Sequence, residues 1–320
     1  MAMKHLGISG GGTKIGGLFG VAESIIFERG YQPDIISGIS AGAVLSLPLA
    51  LGKRNLIKEM VLDFSLKTFF NVPPVKENGK IRLFNAIGKI IAGKPYLGEQ
   101  KNLERLLKQI VSREEFEHYK TADNLPICIV GAVDFYTGKR FYINLKEVSY
   151  DDFPKFVNAS ASLPIFTPGV KFNTKITDFE GVSNAHDKVL LFDGGVRDHS
   201  PSAKILNSKI TNFNITETCT IFSRPESLYD ILSPFDFLPR NLLKILERYV
   251  SITNAEVSKN DQAQEAQIIK EKEILDHGTF YLPRIMKGVY DVDKSRLAAL
   301  YENSKEIVTD ESWNDVTLFA

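Results

Sequence analysis

Short apolar runs alternate with glycine breaks through the first fifty residues of the chain. Residues 4–9 form one such run, and Gly10-Gly11-Gly12 ends it. Residues 18–29 then carry apolar side chains at helical spacing (Leu18, Val21, Ala22, Ile25, Ile26), with Gly30 where a left-handed cap closes a helix. A second short strand at 34–37 leads into Gly38-Ile39-Ser40-Ala41-Gly42 and another apolar helix through Leu51. Two strand–helix units in succession predict a parallel sheet covered by helices, an α/β fold.

Further along, residues 53–115 read as helical, interrupted at Pro73-Pro74 and around 93–98. Strands resume at 126–134 and 140–145, and the turn Tyr136-Thr137-Gly138-Lys139 between them predicts an antiparallel hairpin. A helix over 152–161 stops before Leu163-Pro164. Strands follow at 189–192, ending on Asp193-Gly194-Gly195, and at 219–222. The stretch 241–276 reads as one long helix, increasingly polar, with Gly278 at its end, then a strand at 280–282 and a final helix over 294–308. No repeat, low-complexity tract or flexible linker divides the chain, so a single domain is expected across 1–320.

Composition narrows the function classes. With 39 Lys plus Arg against 39 Asp plus Glu, no global field draws the protein to nucleic acid or to an anionic bilayer, and any membrane contact must be local. The two cysteines, Cys128 and Cys219, sit in strand-like apolar runs and read as buried thiols. Only Met1 to His5 precede Leu6-Gly7-Ile8-Ser9 and the glycines that follow, which is expected to leave no room for a classical signal peptide, and no 18-residue apolar run predicts a transmembrane helix. The expectation is a cytoplasmic protein, peripheral to membranes at most, with non-classical export left open.

Three glycine-rich motifs carry the candidate chemistry. In Gly38-Ile39-Ser40-Ala41-Gly42 a serine sits on a sharp strand-to-helix turn, which holds its hydroxyl above the sheet; only small residues fit two positions away. Gly10-Gly11-Gly12 lets backbone amides converge on one point, to cradle a phosphate or an oxyanion. The nucleotide readings fail. A lysine-bearing phosphate loop needs Gly-Lys-Ser/Thr where Gly12-Thr13-Lys14 stands, and a dinucleotide fingerprint needs glycine at Ile15. Asp193-Gly194-Gly195 puts a carboxylate at what is expected to be the C-terminal end of a parallel strand, the edge where α/β sites form.

A serine hydroxyl needs a base. Of the five histidines, His5 abuts the first strand, His118 lies in a charged helix and His186 in a polar loop. The order serine, acid, histidine would nominate His277, or less well His199, neither in a strand-end or glycine-rich context. A serine–aspartate pair fits better, with a Ser-His-Asp esterase and a non-catalytic lipid-binding protein as the alternatives.

Taken in order, these motifs resemble the patatin-like phospholipases over about residues 5–205. The triple glycine is followed by a basic residue (Lys14), the serine is flanked by Gly38 and Gly42, and Asp193-Gly194-Gly195 is followed by Pro201. Asn158-Ala159-Ser160-Ala161-Ser162-Leu163-Pro164 looks like the family's Ala-Ser-x-x-x-Pro element. The resemblance implies a three-layer α/β/α fold with a mainly parallel sheet and a nucleophile elbow. It implies Ser40 as nucleophile, Asp193 as general base, and the amides of Gly11, Gly12 and Thr13 as an oxyanion hole. No metal or cofactor is implied, and the substrate is a phospholipid or related lipid ester. Where the family carries a further glycine after the basic residue, this chain has Ile15 and then Gly16-Gly17, which leaves the exact oxyanion amides open. Lys14 is expected to anchor the loop or to attract a phosphate. The region from about 206 matches no motif and is expected to be mainly helical.

Access to a lipid requires apolar surface. Two proline-flanked aromatic segments offer it, Phe69-Phe70-Asn71-Val72-Pro73-Pro74-Val75 and Pro234-Phe235-Asp236-Phe237-Leu238-Pro239, unless they pack on the core. In the long helix, Leu242, Leu243, Leu246, Tyr249 and Val250 share roughly one face, a stripe expected to belong to the core; its continuation over 259–273 reads as solvated, with a partner surface as the other reading.

Overall fold

The computed structural model describes residues 2–76, 82, 88–89, 91–184, 186–208, 213–224, 242–274, 276–286 and 290–309, and for 242–251 and 254 only the course of the helix. The second aromatic segment, 234–239, lies outside the described residues, as do the side chains of the stripe in the long helix.

Eight strands form one mixed sheet in the order β5-β6-β3-β2-β1-β7-β8, with β4 paired to β3. In chain order they are β1 (Met3–Ile8), β2 (Ile35–Ile39), β3 (Ile127–Asp134), β4 (Arg140–Asn144), β5 (Val170–Phe172), β6 (Val189–Asp193), β7 (Ile215–Phe222) and β8 (Asp276–Tyr281). The core β3-β2-β1-β7-β8 is parallel throughout. Strands β3 and β4 form the antiparallel hairpin expected from the turn at 136–139.

Alternation along the strands separates two cores. Ile36, Cys128, Val130, Ala132, Leu6, Ile8 and Ile221 face one, while Ile35, Ile39, Ile129 and Ile215 face the other. Both thiols are buried. The first core is covered by α1 (Ile15–Glu23), α2 (Ala41–Ala50), α3 (Arg54–Leu62), α4 (Leu66–Phe69), α5 (Lys101–Ile110), α6 (Arg113–Thr121) and α7 (Phe153–Ser160). The second is covered by α8 (Ser202–Leu206) and the 30-residue α9 (Leu242–Glu271), and α10 (Lys294–Glu306) returns to the first. The layers are helix, sheet, helix.

Several details differ from the sequence reading. Helix α1 begins at Ile15, and within it Gly17 and Gly20 are packing positions. A Cβ on Gly17 would stand 2.8 Å from Leu300 Cγ, and one on Gly20 2.6 Å from the Tyr301 carbonyl oxygen, so α10 lies almost backbone-to-backbone on α1. That accounts for Gly17 among the glycines past Ile15. The same stretch opens into a π-helical turn at Ser24–Glu28 before Gly30 takes its left-handed φ of 71°. Helix α9 ends at Glu271, and Glu273, not a glycine, takes the left-handed conformation (φ 53°). Gly278 sits inside β8 opposite Cys219, which makes that strand longer than expected. The stretch 53–115 breaks into short helices, with an extended pairing of Val72 to Glu99 between α4 and α5.

The largest correction concerns β6. It runs antiparallel to β3, not parallel to it. On β3, residues 127–131 pair with β2, residues 132–134 with β6, and β4 pairs across 129–133. Because β4 overlaps both, it occupies one edge of β3, and β2 and β6 share the other, end to end. Their C-terminal ends therefore meet.

Candidate active site

That meeting point assembles the predicted residues. Ile39, the last residue of β2, pairs with Gly131, and Asp193, the last residue of β6, pairs with the next residue, Ala132. Ser40 follows Ile39 and turns sharply into α2 with φ 55° and ψ −117°. A non-glycine residue held there stores on the order of 1–3 kcal/mol of strain, which the surroundings must hold in place. They do so tightly. A Cβ on Gly38 would overlap the Gly42 backbone, and one on Gly42 would overlap the Ile8 carbonyl, so both flanking glycines are obligatory.

The segment that resembles Ala-Ser-x-x-x-Pro ties the two ends together. Ser160, at the end of α7, accepts the Ser40 N–H at 3.0 Å and donates to the Gly131 carbonyl at 2.6 Å. Two residues on, the Ser162 carbonyl accepts the Asp193 N–H at 2.9 Å. Neither role was readable from the motif.

Asp193 is 3% exposed and Ser40 8%. The carboxylate accepts from the Gly195 N–H at 2.7 Å and has the Ser40 side chain beside it. Burial pushes its pKa up to about 6, against the opposing pull of those two groups. A buried carboxyl at that value is a better base near neutrality than a solvated one near 4.

The glycine loop faces the serine: a Cβ on Gly10 would stand 3.3 Å from Ser40 Cβ. Gly12 adopts φ 56°, and Lys14 N–H closes a tight turn on the Gly11 carbonyl at 3.1 Å. Gly10 N–H is taken by the His199 carbonyl at 2.9 Å. The N–H groups of Gly11, Gly12 and Thr13 have no acceptor among the described residues. Lys14 anchors the loop by donating to the Ser223 carbonyl at 2.8 Å, and burial, with Arg224 and Arg284 nearby, lowers its pKa to about 8. Ser223 clamps the other side: its N–H donates to Ser9 Oγ at 2.8 Å and its hydroxyl to the Gly10 carbonyl.

No described histidine hydrogen-bonds Ser40 or Asp193. His277 lies in the row His277–Thr218–His5–Ile35 across β8, β7, β1 and β2. Ser40 is five residues beyond Ile35, so about 16 Å along the strands and three strands, roughly 14 Å, across separate it from His277. His199 is buried beside Arg224 and Lys14, and burial first, then those cations, hold its pKa well below the usual value. His5 bonds Ser37 and Thr218 on the far face of the sheet.

A small cleft of about 40 Å³ is lined by Gly12, Thr13, Ser40, Val44, Leu163 and Tyr290, with Phe64, Phe69 and Phe70 along its wall. Phe69 and Phe70 are therefore buried and wall the site; they are not exposed for insertion into a bilayer. Tyr290, from the unmatched C-terminal region, packs its ring at a tilt against Phe166, with centroids 5.2 Å apart, and burial together with the Asp193 charge keeps its phenol protonated. No described helix is long and apolar enough to cross a membrane.

A comparison with curated proteins gave no match. Among solved structures the chain is similar to VipD from Legionella pneumophila, with 14% identity, a TM-score of 0.39, and coverage of 98% of this chain and 78% of that one. It is also similar to full-length ExoU in complex with full-length SpcU, from the type III secretion system of Pseudomonas aeruginosa, with 13% identity, a TM-score of 0.37, and coverage of 96% and 59%. The family model described as patatin-like phospholipase matches residues 6–203, the stretch that contains the glycine loop, Ser40 and Asp193. The chain belongs to the patatin-like phospholipase family.

Proposed function

We propose that the protein is a lipid acyl hydrolase of the phospholipase A or lysophospholipase type, cleaving carboxylic esters through Ser40 and Asp193. Family membership supports lipid ester hydrolysis as the general activity. The observation that carries the finer reading is the buried Asp193 carboxylate, raised to about 6, with the Ser40 hydroxyl as its neighbour and no histidine bonded to either.

In the first half-reaction Ser40 Oγ attacks the ester carbonyl carbon as Asp193 takes the hydroxyl proton. The carbonyl oxygen becomes an oxyanion, and the free N–H groups of Gly11, Gly12 and Thr13 are the donors available to it. One such donor contributes about 2.7–4 kcal/mol of transition-state stabilisation. Collapse expels the lipid alcohol, which leaves with the proton from Asp193, and an acyl group remains on Ser40. Water then enters and attacks the acyl carbon as Asp193 takes its proton; the bond to Ser40 Oγ breaks, the Asp193 proton returns to that oxygen, and the fatty acid is released. The aromatic wall of Phe64, Phe69 and Phe70 suits the acyl chain.

Incubation with mixed phospholipid vesicles, followed by mass spectrometry of the products, tests this reading. Free fatty acid and lysolipid are expected from the native protein and neither from Ser40→Ala. Saturable lipid binding with no ester cleavage would instead favour a binding protein.

A further inference from the structure

Helix α9 lies beyond the family match, and its second half reads in sequence as a solvated face. In the structure Ala255, Ser258, Asp261, Glu265 and Ile269 form a stripe that is at most 8% exposed and faces the sheet. Polar residues occupy three of its five positions. Glu265 receives the Thr220 hydroxyl, which in turn contacts Ser202 Oγ at 2.9 Å. Asp261 does something different: a single oxygen, Oδ2, accepts two backbone N–H groups, from His199 and, at 3.0 Å, from Ser200.

Those two peptides occupy a particular place. They end the segment that begins at Asp193, whose middle is fixed where Arg140 and Tyr142 grip the Asp198 carboxylate. The His199 carbonyl is also the acceptor for Gly10 N–H, at the start of the glycine loop. One carboxylate thus braces the peptide that joins the base-bearing segment to the oxyanion loop.

We propose that Asp261 is a positioning residue for the reaction: through His199 it fixes the Gly10 peptide and so the placement of the Gly11–Thr13 amides relative to Asp193. This rests on the Ser40–Asp193 reading. Burial raises the Asp261 pKa to about 7, but the function assigned here is that of an acceptor, not a charge. Because both bonds end on one oxygen, an amide can supply the same acceptor.

Three measurements on the full chain test it. With a chromogenic fatty-acyl ester, Asp261→Ala should lower kcat about 10–100-fold, the scale of an ångström-sized misplacement, with KM within about twofold. Asp261→Asn should recover kcat to within about threefold of the native value. In amide hydrogen exchange, Asp261→Ala should speed exchange at Gly10, a residue Asp261 does not touch, while Asp261→Asn leaves it slow. Should Asp261→Ala not fold, Asp261→Ser, whose hydroxyl is too short to bridge both amides, is judged by the same criteria. The proposal is overturned by a folded Ala or Ser variant with native kcat and native Gly10 exchange, or by an Asn variant as slow as the truncations. A native protein that hydrolyses nothing counts against the dyad reading alone, since Gly10 exchange reports on the brace without turnover.

Discussion

Ser160 holds Ser40 by the backbone: its hydroxyl accepts the Ser40 N–H at 3.0 Å while donating to the Gly131 carbonyl at 2.6 Å. The strained Ser40 peptide is thereby tied to β3, the strand whose Ala132 pairs with Asp193. Ser160→Ala leaves a buried N–H without an acceptor, which costs about 1–3 kcal/mol. Denaturant unfolding should show a loss of that size, and the second-order rate of Ser40 labelling by a fluorophosphonate should fall at least tenfold. Unchanged stability and rate would remove Ser160 from the site's support.

Two glycine substitutions separate close contact from backbone preference. Gly42→Ala sets a Cβ on the Ile8 carbonyl, where no rotamer change can relieve the overlap. Gly30 has φ 71° but open space around it. Gly30→Ala should cost about 1–2 kcal/mol with activity intact, and Gly42→Ala roughly 3 kcal/mol or more with activity lost. Thermal denaturation of both variants checks the contrast, and equal costs would contradict it.

The pH dependence of Asp193 has opposite signs for activity and stability. As a base it must be ionised, so kcat/KM should rise as pH passes about 6. Its folded pKa lies above the unfolded value near 4, so the stability it contributes is complete below about pH 4 and is lost as pH rises through 6. Asp261, at about 7, and Glu265, at about 8, act in the same sense. His5 and His199, which burial holds neutral, act oppositely, losing stability as pH falls below about 6.5. Asp193→Asn isolates the single contribution. The stability of the variant relative to the native protein should climb by on the order of 3 kcal/mol between pH 4 and 8. A flat difference in urea titrations across that range would contradict the burial of an ionised Asp193.

On the proposed function, the shape of the cleft sets acyl selectivity. Leu163 lines the cleft beside Ser40 and is only partly buried, so a larger side chain can be accepted there without rebuilding the core. Leu163→Trp should lower kcat/KM for a long-chain ester at least about tenfold relative to a two- to four-carbon ester. An unchanged ratio across a chain-length series would mean that the acyl group lies elsewhere.

Much of this site was legible before the fold. Strand–glycine–helix punctuation located both loops, and Ser40 and Asp193 were nominated by type and context together with the family resemblance. The sequence could not reveal that β6 runs antiparallel, since Val189–Asp193 has the same apolar pattern in either direction; only pairing with β3 sets its sense. It could not show that Gly17 and Gly20 serve α10, whose contact with α1 spans nearly the whole chain. Ser160 and Asp261 act through backbone amides distant in sequence, and a side chain that caps a remote peptide leaves no local pattern. Asp261 was further hidden because polar residues on a buried stripe make the helix look solvated.

The central claim is that Ser40 is activated by Asp193 without a histidine. The most direct measurement is the rate at which a fluorophosphonate probe labels the native protein, Ser40→Ala, Asp193→Asn and His277→Ala, with the modified residue located by peptide mass spectrometry. One label on Ser40 is expected in the native protein, none in Ser40→Ala, a rate at least about 100-fold lower in Asp193→Asn, and the native rate in His277→Ala. Labelling that persists in Ser40→Ala, or a native rate in Asp193→Asn, would contradict the account.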